Sequence, residues 1–519
     1  MRRSLHAVLF SLNIVLLCVA CQDTHSVHHG LNIEDLQAWV RPEYILDEED
    51  VRHEIQSQEK AYPNKMYADK YTCNYYKEEQ PMVWLTRMGI TEQADSLLPW
   101  LEEADKLGFS RDFFHTDTLR SLIRQIRNFD LAAEGASKVT GRLEFLLTQA
   151  YLRYTCGQRY GYIHPRQVFN HLLIDPPAAG ETRKTAVYRR LYDHNSDEVT
   201  DSFVHHALNE VRHHRLNAFL QEIQPTDTLY RQLYSEYQRA KANGDTTRTR
   251  LAHINMERAR WRYPHPGREG KYVWVNLAEQ ELTAVDPKKG SSISMRVCCG
   301  NATHKTPLLH SEIGLIELNP YWVIPQTIVR KEIMPRHVGD SAYYARNRYR
   351  AINKETHQEV NPASLTAAQL RSAQYTLRQD NGAGNSLGRI IFRFPNKFSV
   401  FLHDTNNRGA FNNGNRAISH GCVRVERPLD LAIFLLDNPT ELLIDRIRMS
   451  IDLQPISKQG IQYKQSHPNA QPMKNVRPSS PIPVWLDYWT LCPDSDGHLQ
   501  SHSDKYGYDK VIENILKSY

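Results

Sequence analysis

From Tyr272 onward the apolar residues change period. Lys271–Asn276, Glu281–Asp286 and Ser291–Cys299 alternate apolar and polar side chains, with turns at Leu277–Gln280 and Pro287–Gly290, the pattern of strands with one buried face. Before that point, Ser96–Leu107, Gly141–Tyr154 and Val199–Leu220 space their apolar residues by three and four, the pattern of helices with an inward stripe. One segment cannot serve both periods. The chain is therefore read as α+β: a helical domain over 31–265, a mostly β domain over 266–450 and an extension over 451–519. Its 519 residues leave room for two or three cores.

Ile313–Leu318, Arg389–Phe394 and Phe398–His403 continue the strand pattern. The mostly polar run 335–387 interrupts it, and a structureless loop of that length inside a domain is improbable, so an inserted subdomain is expected. Pro428 opens a helix through Leu436, and Glu441–Ser450 is a second amphipathic piece. Ile456–Ser480, rich in Gln, Lys, Pro and Ser, is expected to be mobile. Pro483–Leu491 alternates strongly enough to return to the sheet as a strand, and Tyr508–Tyr519 reads as a short helix.

Charge narrows the function classes. The net charge is +5, with lysines and arginines scattered among acids, so no basic stripe points to nucleic acid as a partner. At the start, Arg2 and Arg3, the apolar run Ala7–Val19 and the small Ala20 make residues 1–20 a secretory signal. That run is shorter than the ~20 residues a bilayer requires, so export is expected rather than a membrane-spanning anchor. Cys18-Val19-Ala20-Cys21 resembles a bacterial lipobox. It implies lipidation of Cys21, a tether over 21–30 and a periplasmic protein held on a cell-envelope membrane.

Eight cysteines are present, at Cys18, Cys21, Cys73, Cys156, Cys298, Cys299, Cys422 and Cys492. With Cys18 in the signal, Cys21 as anchor and Cys422 as nucleophile, an odd remainder is left, which is no disulfide framework. Cys298 and Cys299 adjoin on a strand and face opposite ways, so no zinc box is read there. The pairs His205-His206 and His213-His214 lie about 100° apart around a helix and do not chelate well. No metal or organic cofactor is expected.

The chemistry concentrates in Phe398–Arg424. Alternation places Phe398, Val400 and Leu402 on one face of a strand and Ser399, Phe401 and His403 on the other, so the imidazole faces a cleft. A loop rich in Gly and Asn then leads to the turn Ser419-His420-Gly421-Cys422. A free thiol is a working nucleophile once an imidazole takes its proton, and His403 is placed to do so. Gly421 frees the backbone so that the amides of Gly421 and Cys422 could bind an oxyanion. Asp404 points away from His403, which leaves a backbone carbonyl near Ser419 or Gly421 as the expected orienter of the imidazole.

His403 followed by Ser419-His420-Gly421-Cys422-Val423-Arg424 resembles the signature of the L,D-transpeptidases with a YkuD-type domain. Arg424, the LHDT context Leu402–Thr405 and the runs Leu318–Pro325, Arg330–Pro335 and Phe392–Thr405 are similar to the YcbB-like subgroup. The resemblance implies a cysteine-dependent peptidoglycan transpeptidase that attacks stem peptides between the third-position diamino acid and D-Ala, releases D-Ala and forms 3-3 crosslinks through a thioacyl-enzyme. It also implies a role in cell wall biogenesis and cell shape, and acylation of Cys422 by carbapenems. Ser419 and His420 would shape the turn. Asn319 and Trp322 would lie along the donor groove, and Arg424 and Arg416 would be candidates for a substrate carboxylate. The run 335–387 would be the substrate cap. Leu143–Ile163 and Ile254–Pro264 resemble the ends of the subgroup's helical scaffold, and no stretch between them resembles the small peptidoglycan-binding module of that subgroup. Three alternatives stay open: an L,D-carboxypeptidase or hydrolase on the same peptides, a non-catalytic wall-associated scaffold lipoprotein, and attachment of a protein to the wall through the same acyl chemistry.

Overall fold

The structure, a computed structural model, describes residues 47–61, 65–86, 89–128, 130–131, 135–173, 188–262 and 270–519. The expected signal, tether and Cys21 lie outside the described residues. The chain is an α+β protein with a helical N-terminal region and a β-rich C-terminal domain. It divides into two compact units: one within Met1–His164, Asp197–Arg262 and Asp509–Tyr519, the other within Pro165–Ser196 and Tyr263–Tyr508. The division differs from a single boundary near 265. Tyr192–Asp193 pairs in parallel with Leu308–Leu309 and so belongs to the β-rich unit, while Asp509–Tyr519 returns to the helical one.

The helical unit is built around Ala136–Tyr160, buried along almost its whole length. Its polar residues are matched from neighbouring segments. Glu144 accepts the amides of Val83 at 2.5 Å and Trp84 at 3.1 Å. Arg153 makes two bonds to Asp69, at 2.6 and 2.8 Å. Side-chain oxygens of Thr200, Asp227 and Asp245 cap Asp201–Arg212, Thr228–Ala242 and Thr246–Arg260, satisfying amides that a helix start leaves open. The expected continuous helix Val199–Leu220 is broken into Asp201–Arg212 and Leu216–Glu222, with His214 left-handed at φ 57°. The polar run His213-His214-Arg215 gives no apolar stripe to carry the helix through.

The β-rich unit carries a 12-stranded sheet. In order, it runs through Asn475–Val476, Leu315–Leu318, Ile390–Arg393, Leu402–His403, Val423–Val425, Ser291–Gly300, Glu281–Asp286, Tyr272–Asn276, Ile482–Asp487, Leu308–Ile313 and Tyr192–Asp193, with Ala417–Ser419 also on Ser291–Gly300. The late strand Ile482–Asp487 lies between Tyr272–Asn276 and Leu308–Ile313. Two expectations change here. Ile456–Ser480 is not mobile throughout: Ser457 caps a helix over Lys458–Ser466, Asp445 accepts the amides of Ile456 and Ser457, and Asn475–Val476 adds an edge strand. The histidine strand is only Leu402–His403, because Ser399 turns left-handed at φ 56°.

The inserted subdomain has its own four-stranded sheet, in the order Trp322–Val323, Tyr375–Gln379, Tyr349–Asn353 and Glu359–Val360. Its core includes Ile324, Val329, Ile333, Tyr344, Leu370 and Leu377. It therefore starts at Trp322, earlier than 335, since the preceding apolar run packs into the same core.

Candidate active site

Strand register decides which side chains meet. Glu317 pairs with Ile391, Ile391 with His403, His403 with Arg424, and Arg424 with Cys298. Side chains alternate along strands, so this row shares its face with residues two positions along, namely Arg393, Phe401 and Cys422. The opposite face carries Ile316, Phe392, Leu402, Val423 and Val297, all buried. Apolar packing on one face thus fixes the register that gathers the polar groups on the other. Cys422, the residue before the strand Val423–Val425, thus stands two positions from Arg424, the register partner of His403.

His403 is buried, and its Nδ1 donates to the carbonyl of Asp404. A carbonyl only accepts, so this contact puts the proton on Nδ1 and leaves Nε2 as the acceptor. The orienting carbonyl is that of the next residue and not one near Ser419 or Gly421. Burial, then the neighbouring Arg424, push the imidazole down to about 4 against the smaller pull of the Asp404 and Leu387 carbonyls. The half-buried Cys422 thiol is pushed up, first by burial, with the Phe401 backbone, Arg424 and Arg393 offsetting part of that rise. At neutral pH the resting pair is neutral thiol and neutral imidazole, the protonation state that general-base activation requires.

The turn that presents the thiol is held from several sides. Asn396 accepts the amides of Phe398 and Val400 and donates to the Val400 carbonyl, which brings the Ser399 carbonyl to 3.9 Å from Cys422 Sγ. Ser419 Oγ donates to the Cys422 carbonyl at 2.6 Å and accepts the Gly421 amide at 3.1 Å. Gly421 has φ 118°, a conformation that side chains rarely adopt. Its carbonyl accepts from Thr306 Oγ1 at 2.9 Å, and Tyr506 donates to the Gly300 carbonyl at 2.7 Å beneath it. A Cβ on Gly300 would lie 2.0 Å from the His304 carbonyl, so only glycine lets these backbones close.

The other candidate residues are dispersed. Arg424 lies beside His403, and its Nε has no hydrogen-bond partner among the described residues. Arg416, expected to share its role, is taken up by backbone: it donates to the carbonyls of Val297, Asn413 and Gln280 at 3.1, 3.2 and 3.0 Å. Trp322 packs against the core of the inserted subdomain. Asn319, left-handed at φ 49°, accepts the Gly382 amide at 2.8 Å, so it pins the root of that subdomain. His420 is exposed and reaches the inserted subdomain, its Nε2 2.8 Å from Glu332 in the π-helical turn Val329–Ile333. Sequence reasoning assigned no role to Arg393, which pairs with Glu317 at 2.9 Å and lies 4.9 Å from the Phe401 ring centroid. It also missed Asn396, Ser399 and Thr306. Arg393, Asn396 and Ser399 all stood in the run Phe392–Thr405, but the contacts of Asn396, Ser399 and Thr306 depend on turns that periodicity does not register.

Asp404 joins this site to a cavity of about 750 Å³, lined by Arg389, Asp404, Thr405, Asn406, Arg408 and Arg427. Its carboxylate accepts the Arg389 amide at 2.8 Å, while its carbonyl holds the His403 imidazole.

A thiol in a glycine turn on the same sheet face as an imidazole is the pair of groups that nucleophilic catalysis by cysteine uses. Residues 270–445 match the YkuD family, described as the L,D-transpeptidase catalytic domain, and residues 70–236 match the Scaffold domain. The chain carries a YkuD L,D-transpeptidase catalytic domain with an N-terminal Scaffold domain. It is also similar to a Haemophilus influenzae protein named "Putative L,D-transpeptidase", 26% identical over 341 residues. That match covers 63% of this chain and 63% of the relative.

Proposed function

We propose that this chain is a peptidoglycan L,D-transpeptidase of the YcbB-like subgroup that forms 3-3 crosslinks between stem peptides. The observation that carries the proposal is the shared sheet face of Cys422 and His403, with the imidazole tautomer set by the Asp404 carbonyl. The Cys422 thiol gives its proton to His403 Nε2 as sulfur attacks the carbonyl between the third-position diamino acid and D-Ala. The oxyanion takes the Cys422 amide, joined by that of Gly421 when it leaves Ser419 Oγ. One such donor is worth about 2.7–4 kcal/mol of barrier. His403 returns the proton to the departing amine, D-Ala leaves, and a thioester remains. The side-chain amine of a second diamino acid then attacks; its proton passes through His403 to the leaving sulfur.

Arg424 is the residue proposed to bind a stem-peptide carboxylate, because its guanidinium is the cation on this face without an ion pair among the described residues. The cap, tied to the turn through Glu332 and His420, would cover the donor peptide and limit water at the thioester. Export, lipidation of Cys21 and a periplasmic location complete the proposal; no helix among the described residues is long and apolar enough to cross a membrane.

The test is to incubate the chain from Gln22 with a disaccharide tetrapeptide and analyse products by mass spectrometry. A 3-3 dimer with released D-Ala, absent for Cys422→Ala, is the expected result. Tripeptide alone would replace transpeptidation by the hydrolase reading, and unchanged substrate would favour the non-catalytic scaffold.

A further inference from the structure

We propose that Glu279, Cys492 and His502 form a binding site for a divalent cation of borderline softness, zinc first, with solvent as the fourth ligand. Their three donor atoms lie within 4.8 Å of one another. The residues come from distant parts of the sequence, so no ligand box was visible in it: Glu279 from the turn after Tyr272–Asn276, Cys492 from the strand Leu491–Pro493, and His502 from just beyond its partner Leu499–Ser501.

Register explains the convergence. Cys492 pairs with Gln500, so His502, two positions on, shares its face, and the His502 amide bonds to the Thr490 carbonyl at 2.8 Å. Cys492 Sγ and His502 Nε2 are 3.6 Å apart. Zinc bonds of about 2.3 Å to sulfur and about 2.0–2.1 Å to nitrogen, at a tetrahedral angle, would separate them by about 3.6 Å. Asn276 supplies the outer support. Its two Nδ2 hydrogens are shared among the Trp489 carbonyl at 3.0 Å and Cys492 Sγ and Glu279 Oε2, each at 3.3 Å, and its Oδ1 accepts the Trp489 amide at 2.9 Å. A buried carboxamide held by backbone beside a sulfur and a carboxylate is the kind of outer partner that orients a metal's ligands.

Charge favours the same occupant. The Glu279 carboxylate is half-buried, with no ion pair among the described residues. Binding would release the Cys492 proton to solvent, and two anionic ligands would then balance one dication. The exposed Asp494, Asp496 and His498 nearby form an ordinary turn, since the Asp496 and His498 amides already fill Asp494 Oδ1 at 3.0 and 2.9 Å.

The test uses the full chain carrying Cys422→Ala, so that the catalytic thiol cannot contribute. Stripped with a chelator and titrated with Co²⁺, it should bind one equivalent and develop a thiolate-to-cobalt charge-transfer band. Zn²⁺ should displace the cobalt. Adding Cys492→Ser should remove the band, and His502→Ala or Glu279→Gln should weaken binding by at least ~10-fold. Should Cys492→Ser fail to fold, Glu279→Gln decides alone. No bound equivalent, or a band retained with Cys492→Ser, would overturn the site, as would binding lost on Asp496→Ala with His498→Ala.

Discussion

Arg153 of the helical unit and Arg424 of the β-rich unit are both guanidinium groups drawn inward, and they end in different company. Arg153, 1% exposed, meets both oxygens of Asp69, the Phe113 carbonyl and the Phe113 ring. Arg424 has a neutral imidazole beside it in register and no ion pair among the described residues. In the first unit buried charge is closed upon itself. In the second, a cation is left without an ion pair among the described residues, which is why it is proposed to meet a substrate carboxylate.

The largest expected effect tests the closed pair. Arg153→Ala strands a buried Asp69 carboxylate, and removing one partner of such a pair costs about 3–5 kcal/mol. Urea unfolding should show that loss, while Cys422 in the remaining folded protein keeps its reactivity. A neutral outcome would mean that the pair carries no such burden. Next comes Arg424→Gln. Losing a hydrogen bond to a charged group is worth about 1.5–3 kcal/mol, so kcat/KM for a tetrapeptide should fall about 10- to 100-fold, with little change in stability. Equal loss of stability would make Arg424 a structural residue like Arg153.

Acidification sharpens the comparison on a smaller scale per pH unit. Burial pushes His115 down to about 4 and His253 down to about 3 in the helical unit. Between the usual histidine value near 6.5 and those values, the unfolded chain binds protons that the native one excludes. Stability is therefore full above about pH 6.5 and declines as pH falls, by about 1.4 kcal/mol per unit for each histidine, the loss being complete below about pH 3. His115→Gln should flatten part of that slope. His403 has the same sign, and its consequence for activity is an acid limb near pH 4, where Nε2 gains a proton. The smallest effect belongs to Glu332→Gln. Both members of its pair with His420 are exposed, so stability should change by about 0.2–1 kcal/mol. Under the proposed mechanism, release of the inserted subdomain should speed hydrolysis of the thioester, and that is the more sensitive measure.

Local order explains what the sequence could reveal. Strands such as Tyr272–Asn276 and Glu281–Asp286 were readable because one face is buried and the period is two. The stretch from His403 to Cys422 stood out because a strand histidine leads through a Gly- and Asn-rich loop to a Ser-His-Gly-Cys turn. The sequence could not show that Tyr192–Asp193 joins the β-rich unit, since a two-residue edge strand has no period to detect. Nor could it show that Arg416 is occupied by backbone carbonyls while Arg424 is not: in sequence both are loop-adjacent arginines, and the difference comes from the approach of Val297 and Gln280. The helix at Lys458–Ser466 was hidden by a composition usual in linkers, although the Ser457 cap was present in the sequence.

The most direct test of the Cys422–His403 mechanism is intact-mass analysis after exposure to a carbapenem, whose strained carbonyl can enter the same oxyanion site. The account predicts one adduct on the native chain, none on Cys422→Ala, and acylation slowed by at least ~100-fold in His403→Ala. An unmodified native chain, or the same adduct on Cys422→Ala, would contradict it.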